Sequence, residues 1–174
     1  MVKQISAAIL LLLLLTSSMR SQHREWVKVA PLGAGFSILM PLRPTEAVET
    51  KDQYTTHSFV GSAGSTVFIA VYVDYAPSIQ LSEPAELAAN RDNFLKGMSA
   101  QLTNSKDIKL DGRSGLEFTA EDERRLYKSR VYIFGNRIHQ IATATSKGDE
   151  DTENVDRFFA SFAFTAITNV HGKP

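Results

Sequence analysis

The sequence contains no cysteine, no excess of one charge and only one long hydrophobic run. The lack of cysteine excludes disulfide bonds, thiolate metal sites and a lipid-modified cysteine. Lys plus Arg equals Asp plus Glu, at 19 each, so the chain lacks the basic excess that attracts proteins to nucleic acid. A domain of this composition has to be stabilised by its hydrophobic core alone.

The single hydrophobic run lies near the N-terminus. Lys3 precedes an unbroken apolar stretch at residues 7–15, and small polar residues follow at 16–18. This order is typical of a secretory signal peptide, and the run is about half as long as a membrane-spanning helix. We therefore predict that residues 1–21 are a signal peptide, cleaved near Ser18, and that the protein is periplasmic or extracellular. The alternative is an uncleaved segment that anchors the protein in a membrane.

Residues 22–174 are predicted to form one globular domain with frayed ends. A chain of about 150 residues is long enough to bury a substantial core. Period-two alternation predicts four strands in its first half, at residues 26–29, 36–40, 54–60 and 66–75. Residues 61–65 form a flexible loop in this prediction, and the polar residues 46–51 are not assigned.

The hydrophobic period then changes from two to about 3.6, which predicts an amphipathic helix that begins near Ser82. Its apolar stripe is Leu87, Phe94, Leu95, Met98 and Leu102, with Met98 interpreted as core filler. A second helix is predicted to begin at Asp151 or Thr152. Its inward-facing residues are Val155, Phe158, Phe159 and Phe162.

Between the two helices, alternation predicts four more strands, with turns at residues 111–112, 121–123 and 135–136. The clearest hairpin joins residues 126–134 and 137–145, because Gly135-Asn136 suits a type II′ turn. That turn places Tyr132 opposite His139. It also assigns one face of the hairpin to the core: Val131, Ile133, Ile138, Ala142 and Ala144.

The other face of this hairpin is the candidate ligand or partner site of the sequence. It carries Lys128, Arg130, Tyr132, Arg137 and His139. Cations beside aromatic rings can bind a carboxylate, a phosphate or an acidic loop of a partner. The alternative, which we favour, is an amphipathic outer face whose long side chains pack beneath a helix with their charged ends in water.

Hairpins dominate this order of elements, so we predict an α+β fold with a mostly antiparallel β-sheet covered by amphipathic helices. The order and several local phrases resemble the PsbP-like superfamily, named for an extrinsic subunit of photosystem II. These phrases are residues 36–41, 111–118, 130–132, 138–141 and 158–162. The resemblance implies a small exported α/β/α sandwich domain, usually non-enzymatic, that docks on a larger assembly or has no known role.

No motif in the sequence matches the residue pattern of a known catalytic or metal site. The four histidines lack the spacing of a helical metal site, residues 112–116 lack the final glycine of a nucleophile elbow, and residues 149–153 lack the glycine of an EF-hand loop. We therefore predict no catalytic, cofactor-binding or metal-binding residues.

The predicted function is an exported, non-catalytic binding or assembly module for an unknown protein partner or a small anionic ligand. A membrane-tethered accessory domain and a small hydrolase-type enzyme are the alternatives.

Overall fold

The computed structural model describes residues 25–41 and 44–166, so the predicted signal peptide lies outside the described residues. Five strands precede the first helix: β1 Trp26–Val29, β2 Phe36–Pro41, β3 Thr45–Lys51, β4 Tyr54–Ala63 and β5 Thr66–Tyr75. The elements that follow are α1 Glu83–Met98, β6 Gln101–Leu110, β7 Arg113–Glu121, β8 Arg125–Phe134, β9 Arg137–Ser146, α2 Thr152–Ser161 and β10 Ala163–Phe164.

The strands form two sheets in which every pair is antiparallel. The larger sheet has seven strands in the order β3-β4-β5-β9-β8-β7-β6, and the smaller has the order β1-β2-β10. The predicted α+β fold with a mostly antiparallel sheet and two helices is confirmed. None of the helices in the described ranges is long and apolar enough to cross a membrane.

The two faces of the large sheet are covered differently. On one face, here called the α1 face, Leu87 and Phe94 of α1 pack against Val131, Ile133 and Ile138. The opposite face, here called the α2 face, is covered by α2 together with the small sheet. The larger core lies on the α2 face, where side chains of β2 and α2 meet those of β4, β5, β8 and β9.

The end of α2 is anchored in this core, as the sequence predicts. Phe158, Phe159 and Phe162 are all buried, although Phe162 lies one position beyond the helix, at its C-cap. Asp151 is the N-cap, and its side chain accepts a hydrogen bond from the backbone N–H of Asn154. The helix therefore begins at the cap that the sequence indicates and ends in aromatic packing.

The predicted hairpin register is also observed. Phe134 lies opposite Arg137, and Tyr132 opposite His139. Gly135 has a φ of +59°, whereas Asn136 has no positive φ, and this combination is that of a type II′ turn. The five residues predicted for the core face of this hairpin are all buried.

The predicted stripe of α1 is wrong at its C-terminal end. The helix ends at Met98 because Ser99 adopts a left-handed conformation, and the N–H groups of Ser99 and Ala100 bond back to carbonyls of Lys96 and Leu95. Leu102 therefore belongs to β6 rather than to the helix, and both Met98 and Leu102 are exposed. Ser82 occupies the N-cap position but makes no side-chain cap hydrogen bond.

Two other local predictions need correction. Residues 61–63 continue β4, so the predicted flexible loop is a tight turn at Gly64, whose φ is +58°. Residues 45–51 form the edge strand β3, paired with β4. All seven residues of β3 are exposed, so no face is buried and no apolar alternation marks the strand in the sequence.

Candidate partner-binding site

The five residues of the predicted patch share the α2 face but lie in two separate groups there. Lys128 and Arg130 lie against the ring of Phe159, with Nζ and Cζ at 4.9 and 5.1 Å from its centroid. Tyr132 and His139 both contact the rings of Phe162 and Phe164, and Arg137 lies near His139. The face is covered by α2 and the small sheet rather than open to water.

The cations of the first group are engaged within the domain. Arg130 Nε donates to Glu117 Oε2 at 2.6 Å, and Lys106 Nζ lies 2.8 Å from Glu117 Oε1. Burial raises the pKa of Glu117, but hydrogen bonds from these two cations outweigh burial and lower that pKa below its usual value. Lys128 lies 3.7 Å from Asp156 of α2. Lys128 and Arg130 therefore connect β8 to α2. Glu117 and Lys106 connect the neighbouring strands β7 and β6 to β8.

His139 is the most enclosed polar side chain of the second group, at 2% exposure. Its ring is bordered by Phe36 and Phe164, with centroids 5.7 and 5.3 Å away. Nε2 lies 3.0 Å from the carbonyl oxygen of Ala34, and a carbonyl only accepts, so Nε2 carries the proton. Burial is the main cause that lowers the pKa of His139 to about 4, and the ring is therefore neutral at pH 7.

Arg137 connects the segment before β2 to the large sheet by hydrogen bonds. Its Nε and Nη2 donate to the two carboxylate oxygens of Asp74, at 2.5 and 2.8 Å. Its Nη1 donates to the carbonyl oxygen of Gly33 at 2.6 Å. All three nitrogens are thus occupied, and the backbone at Gly33, next to Leu32, is bonded to the large sheet.

Leu32 and Phe134 are large apolar residues that this end of the domain leaves in water. Leu32 is 76% exposed and Phe134 is 47% exposed. Arg137 connects the two, because it lies opposite Phe134 in the β8–β9 hairpin and binds the residue after Leu32. We call the end of the domain that carries Leu32, Arg113, Phe134 and Arg137 the apical surface.

Arg113, at the start of β7, is the apical residue that sequence reasoning missed. Its Cζ lies 4.3 Å from the ring centroid of Phe134 and 4.3 Å from that of Phe164. The β7–β8 pairing begins with Gly115 opposite Tyr132, and Arg113 and Phe134 are each two residues beyond that pair. Phe164 belongs to a two-residue strand that no periodicity predicts.

The described residues hold no group of three or more His, Asp or Glu side chains that could bind a metal ion. His57 stacks on Tyr72 with ring centroids 4.3 Å apart, whereas His139 is enclosed among rings. His23 and His171 lie outside the described residues.

The sequence matches no protein-family profile and no curated protein. Among solved structures, cyanobacterial PsbP (CyanoP) from Synechocystis sp. PCC 6803 is similar, with a TM-score of 0.59 and 13% sequence identity over 86% of this chain and 98% of that chain. A structure from Bacteroides thetaiotaomicron VPI-5482 matches with a TM-score of 0.39 and 17% identity, over 80% of this chain and 48% of that chain. The second similarity is too low to support an argument. The first shows that the chain has a PsbP-like fold, as the sequence resemblance predicts.

Proposed function

We propose that this protein is an exported, non-catalytic accessory domain that docks on a larger protein through its apical surface. The observation that carries the proposal is that two exposed apolar residues are both connected to Arg137: Phe134 lies opposite it in the hairpin, and Leu32 precedes Gly33, whose carbonyl Arg137 binds. A backbone that is already bonded within the fold has little further conformational freedom to lose when a partner covers the side chains that it carries. Aromatic residues and arginine are also the residue types enriched at protein interfaces.

A non-catalytic role agrees with the chemistry of the described residues. The one strongly perturbed histidine, His139, is enclosed by aromatic rings, where a substrate has no access. Glu117 is ionised and held by two cations, so it has no free proton to donate. His139 joins the large sheet to the segment before β2, and Glu117 joins neighbouring strands within the large sheet.

The docking proposal is tested by the native size of the full-length protein in its own cells, with and without the double substitution Leu32→Ser and Phe134→Ser. We expect the wild-type protein to migrate in a complex larger than a monomer. The double variant should migrate as a monomer with an unchanged melting temperature. The matched control is Val48→Ser, an exposed apolar residue of β3. A monomeric wild-type protein, or a double variant that stays in the complex, overturns the proposal.

Export is a separate part of the proposal, and it rests on the N-terminal sequence pattern. N-terminal sequencing of protein recovered from the periplasm or medium tests it, and a start near Met19 is expected. An intact Met1 in the membrane fraction contradicts cleavage and makes the protein a tethered accessory domain instead.

A further inference from the structure

Arg113 differs from the other partly buried arginines in having no described carboxylate partner. The described residues include four partly buried arginines, Arg91, Arg113, Arg130 and Arg137. Three of them have a carboxylate within ion-pair distance: Asp92, Glu117 and Asp74 respectively. Within the described ranges Arg113 has none, and its Nε is buried without a hydrogen-bond partner there. Buried donors without a partner are rare in native proteins, and each one requires an explanation.

The two rings beside Arg113 determine which directions remain open to a ligand. Phe134 and Phe164 lie over its guanidinium at the same distance, 4.3 Å from Cζ to each centroid. Because cation–π contacts use the flat faces of a guanidinium, the two rings leave its terminal N–H groups uncovered, whereas Nε is buried. Neither terminal nitrogen is buried without a partner. The two terminal nitrogens are therefore the donors of Arg113 that a ligand can reach.

The open edge of a guanidinium fits a carboxylate better than other anions. Two parallel N–H groups match the two oxygens of a carboxylate in one plane. A phosphate can accept the same pair of N–H bonds, but a phosphate dianion carries twice the charge, and the other cation of the apical surface, Arg137, is already neutralised by Asp74. One unpaired guanidinium thus complements one carboxylate in charge and in shape.

The surroundings of Arg113 indicate that this carboxylate comes from a protein. Phe134 is one of the two rings that pack against the Arg113 guanidinium, and it is itself exposed. A ligand that reaches Arg113 therefore also meets an uncovered aromatic ring. An acidic residue next to an apolar residue supplies both contacts.

We propose that Arg113 binds a carboxylate of the partner protein, from an acidic residue whose apolar neighbour packs on Phe134. The inference rests on the proposed docking function and names the chemistry that the apical surface recognises. Phe134 and Phe164 act as positioning residues, because they fix the plane of the guanidinium before the partner arrives.

The test is an NMR titration of the ¹⁵N-labelled full-length protein that follows the Arg113 Nε–Hε signal. The probe is the capped dipeptide acetyl-Leu-Glu-amide, and acetyl-Leu-Gln-amide is the uncharged match. We expect a saturable shift with the glutamate peptide and binding at least about tenfold weaker with the glutamine peptide, since a charge-assisted bond is worth more than that factor. Equal affinities, or no saturable shift with the glutamate peptide, overturn the proposal.

Variants separate the guanidinium plane from simple charge. Arg113→Gln should lose the glutamate preference because it removes the charge, and Arg113→Lys should weaken the preference because lysine keeps the charge but lacks the planar fork. Loss is read from shifts of the Phe134 ring protons, which remain in both variants. The control Arg125→Gln removes an exposed cation at the opposite end of β8 and should leave the preference unchanged. A preference retained in Arg113→Gln, or lost in Arg125→Gln, contradicts the assignment.

Inorganic phosphate is the third probe. Phosphate that shifts the Arg113 signal at lower concentration than the glutamate peptide would identify a phosphate site and overturn the carboxylate assignment.

The titration results are independent of the native size of the protein in cells. A complex that depends on Leu32 and Phe134 but persists in Arg113→Gln refutes only the carboxylate inference, whereas a monomeric wild-type protein refutes docking itself.

Discussion

His139 donates a hydrogen bond from Nε2 to the carbonyl oxygen of Ala34, and the two atoms are 3.0 Å apart. The bond joins β9, the middle strand of the large sheet, to the segment that leads into β2. Nδ1 of the same ring is buried without a partner. A proton added at Nδ1 would therefore place an unpaired positive charge among aromatic rings, close to Arg137 and Arg113.

We expect the stability of the domain to fall between pH 6.5 and pH 4. His139 has a pKa of about 4 when folded and of about 6.5 when unfolded. In this range the unfolded chain binds a proton that the folded chain does not, so the free energy of unfolding rises with pH. The contribution of His139 is fully present above pH 6.5 and amounts to about 3 kcal/mol. Urea denaturation at pH 7 and at pH 4 measures the difference.

The variant His139→Gln isolates this effect from the titration of carboxylates. Glutamine has an amide N–H for the Ala34 carbonyl but does not titrate. The variant should be less stable at pH 7 and should lose less stability than the wild-type protein on acidification. Parallel pH profiles of the two proteins would show that His139 does not cause the loss.

Gly135→Val tests the turn that sets the β8–β9 register. Gly135 has a φ of +59° and nothing lies within 4 Å of a Cβ built there, so the cost comes from the backbone alone. A β-branched residue at positive φ is strained, and we expect a loss of about 1–2 kcal/mol in chemical denaturation. The control is Gly97→Ala in α1, which has equal space and no positive φ. It should leave stability unchanged or raise it.

Gly115→Ala tests a close approach between two strands. A Cβ at this position would lie 2.5 Å from Cδ1 of Tyr132 and 2.6 Å from the carbonyl oxygen of Val131. The ring is buried and the carbonyl belongs to the backbone, so neither can move away without disturbing the sheet. We expect a loss of about 1–3 kcal/mol. A melting temperature equal to that of the wild-type protein would show that β7 and β8 are farther apart than the structure has them.

Phe158→Ala tests the anchoring of α2. The side chain of Phe158 is 0% exposed, and its ring centroid lies 5.2 Å from that of Phe68 in β5. Loss of a buried ring costs about 3–5 kcal/mol, a large share of the stability of a single domain. The control Val48→Ala removes exposed methyl groups and should change stability by less than about 0.5 kcal/mol. Similar small effects in both variants would place α2 outside the core.

The elements that the sequence predicts correctly are those with a strong local signal. The type II′ turn follows from Gly135-Asn136, and the α2 cap follows from Asp151. Both depend on residues adjacent in the chain, where backbone geometry and sequence are tightly coupled.

The elements that the sequence does not predict depend on distant parts of the chain. β3 has no buried face and therefore no alternation, and it exists because β4 supplies a pairing edge. The predicted patch on Lys128, Arg130, Tyr132, Arg137 and His139 depends on the β8–β9 hairpin alone. The hairpin gives the correct register but not the layer that covers the face, because that layer comes from residues 26–41 and 152–164. The role of Arg113 likewise depends on a distant residue, because Phe164 forms one of the two rings against its guanidinium.

In the small sheet, β2 is paired on one side with the first described strand and on the other side with the last. Residues 163–164 are thus the last described part of the core around Phe36, and they are synthesised after every other described strand. Contacts between such distant residues are slow to form because a long loop must close first. A nascent chain that still lacks these residues has an incomplete aromatic core. The aromatic core around Phe36 is therefore complete only after residues 163–164 have been made.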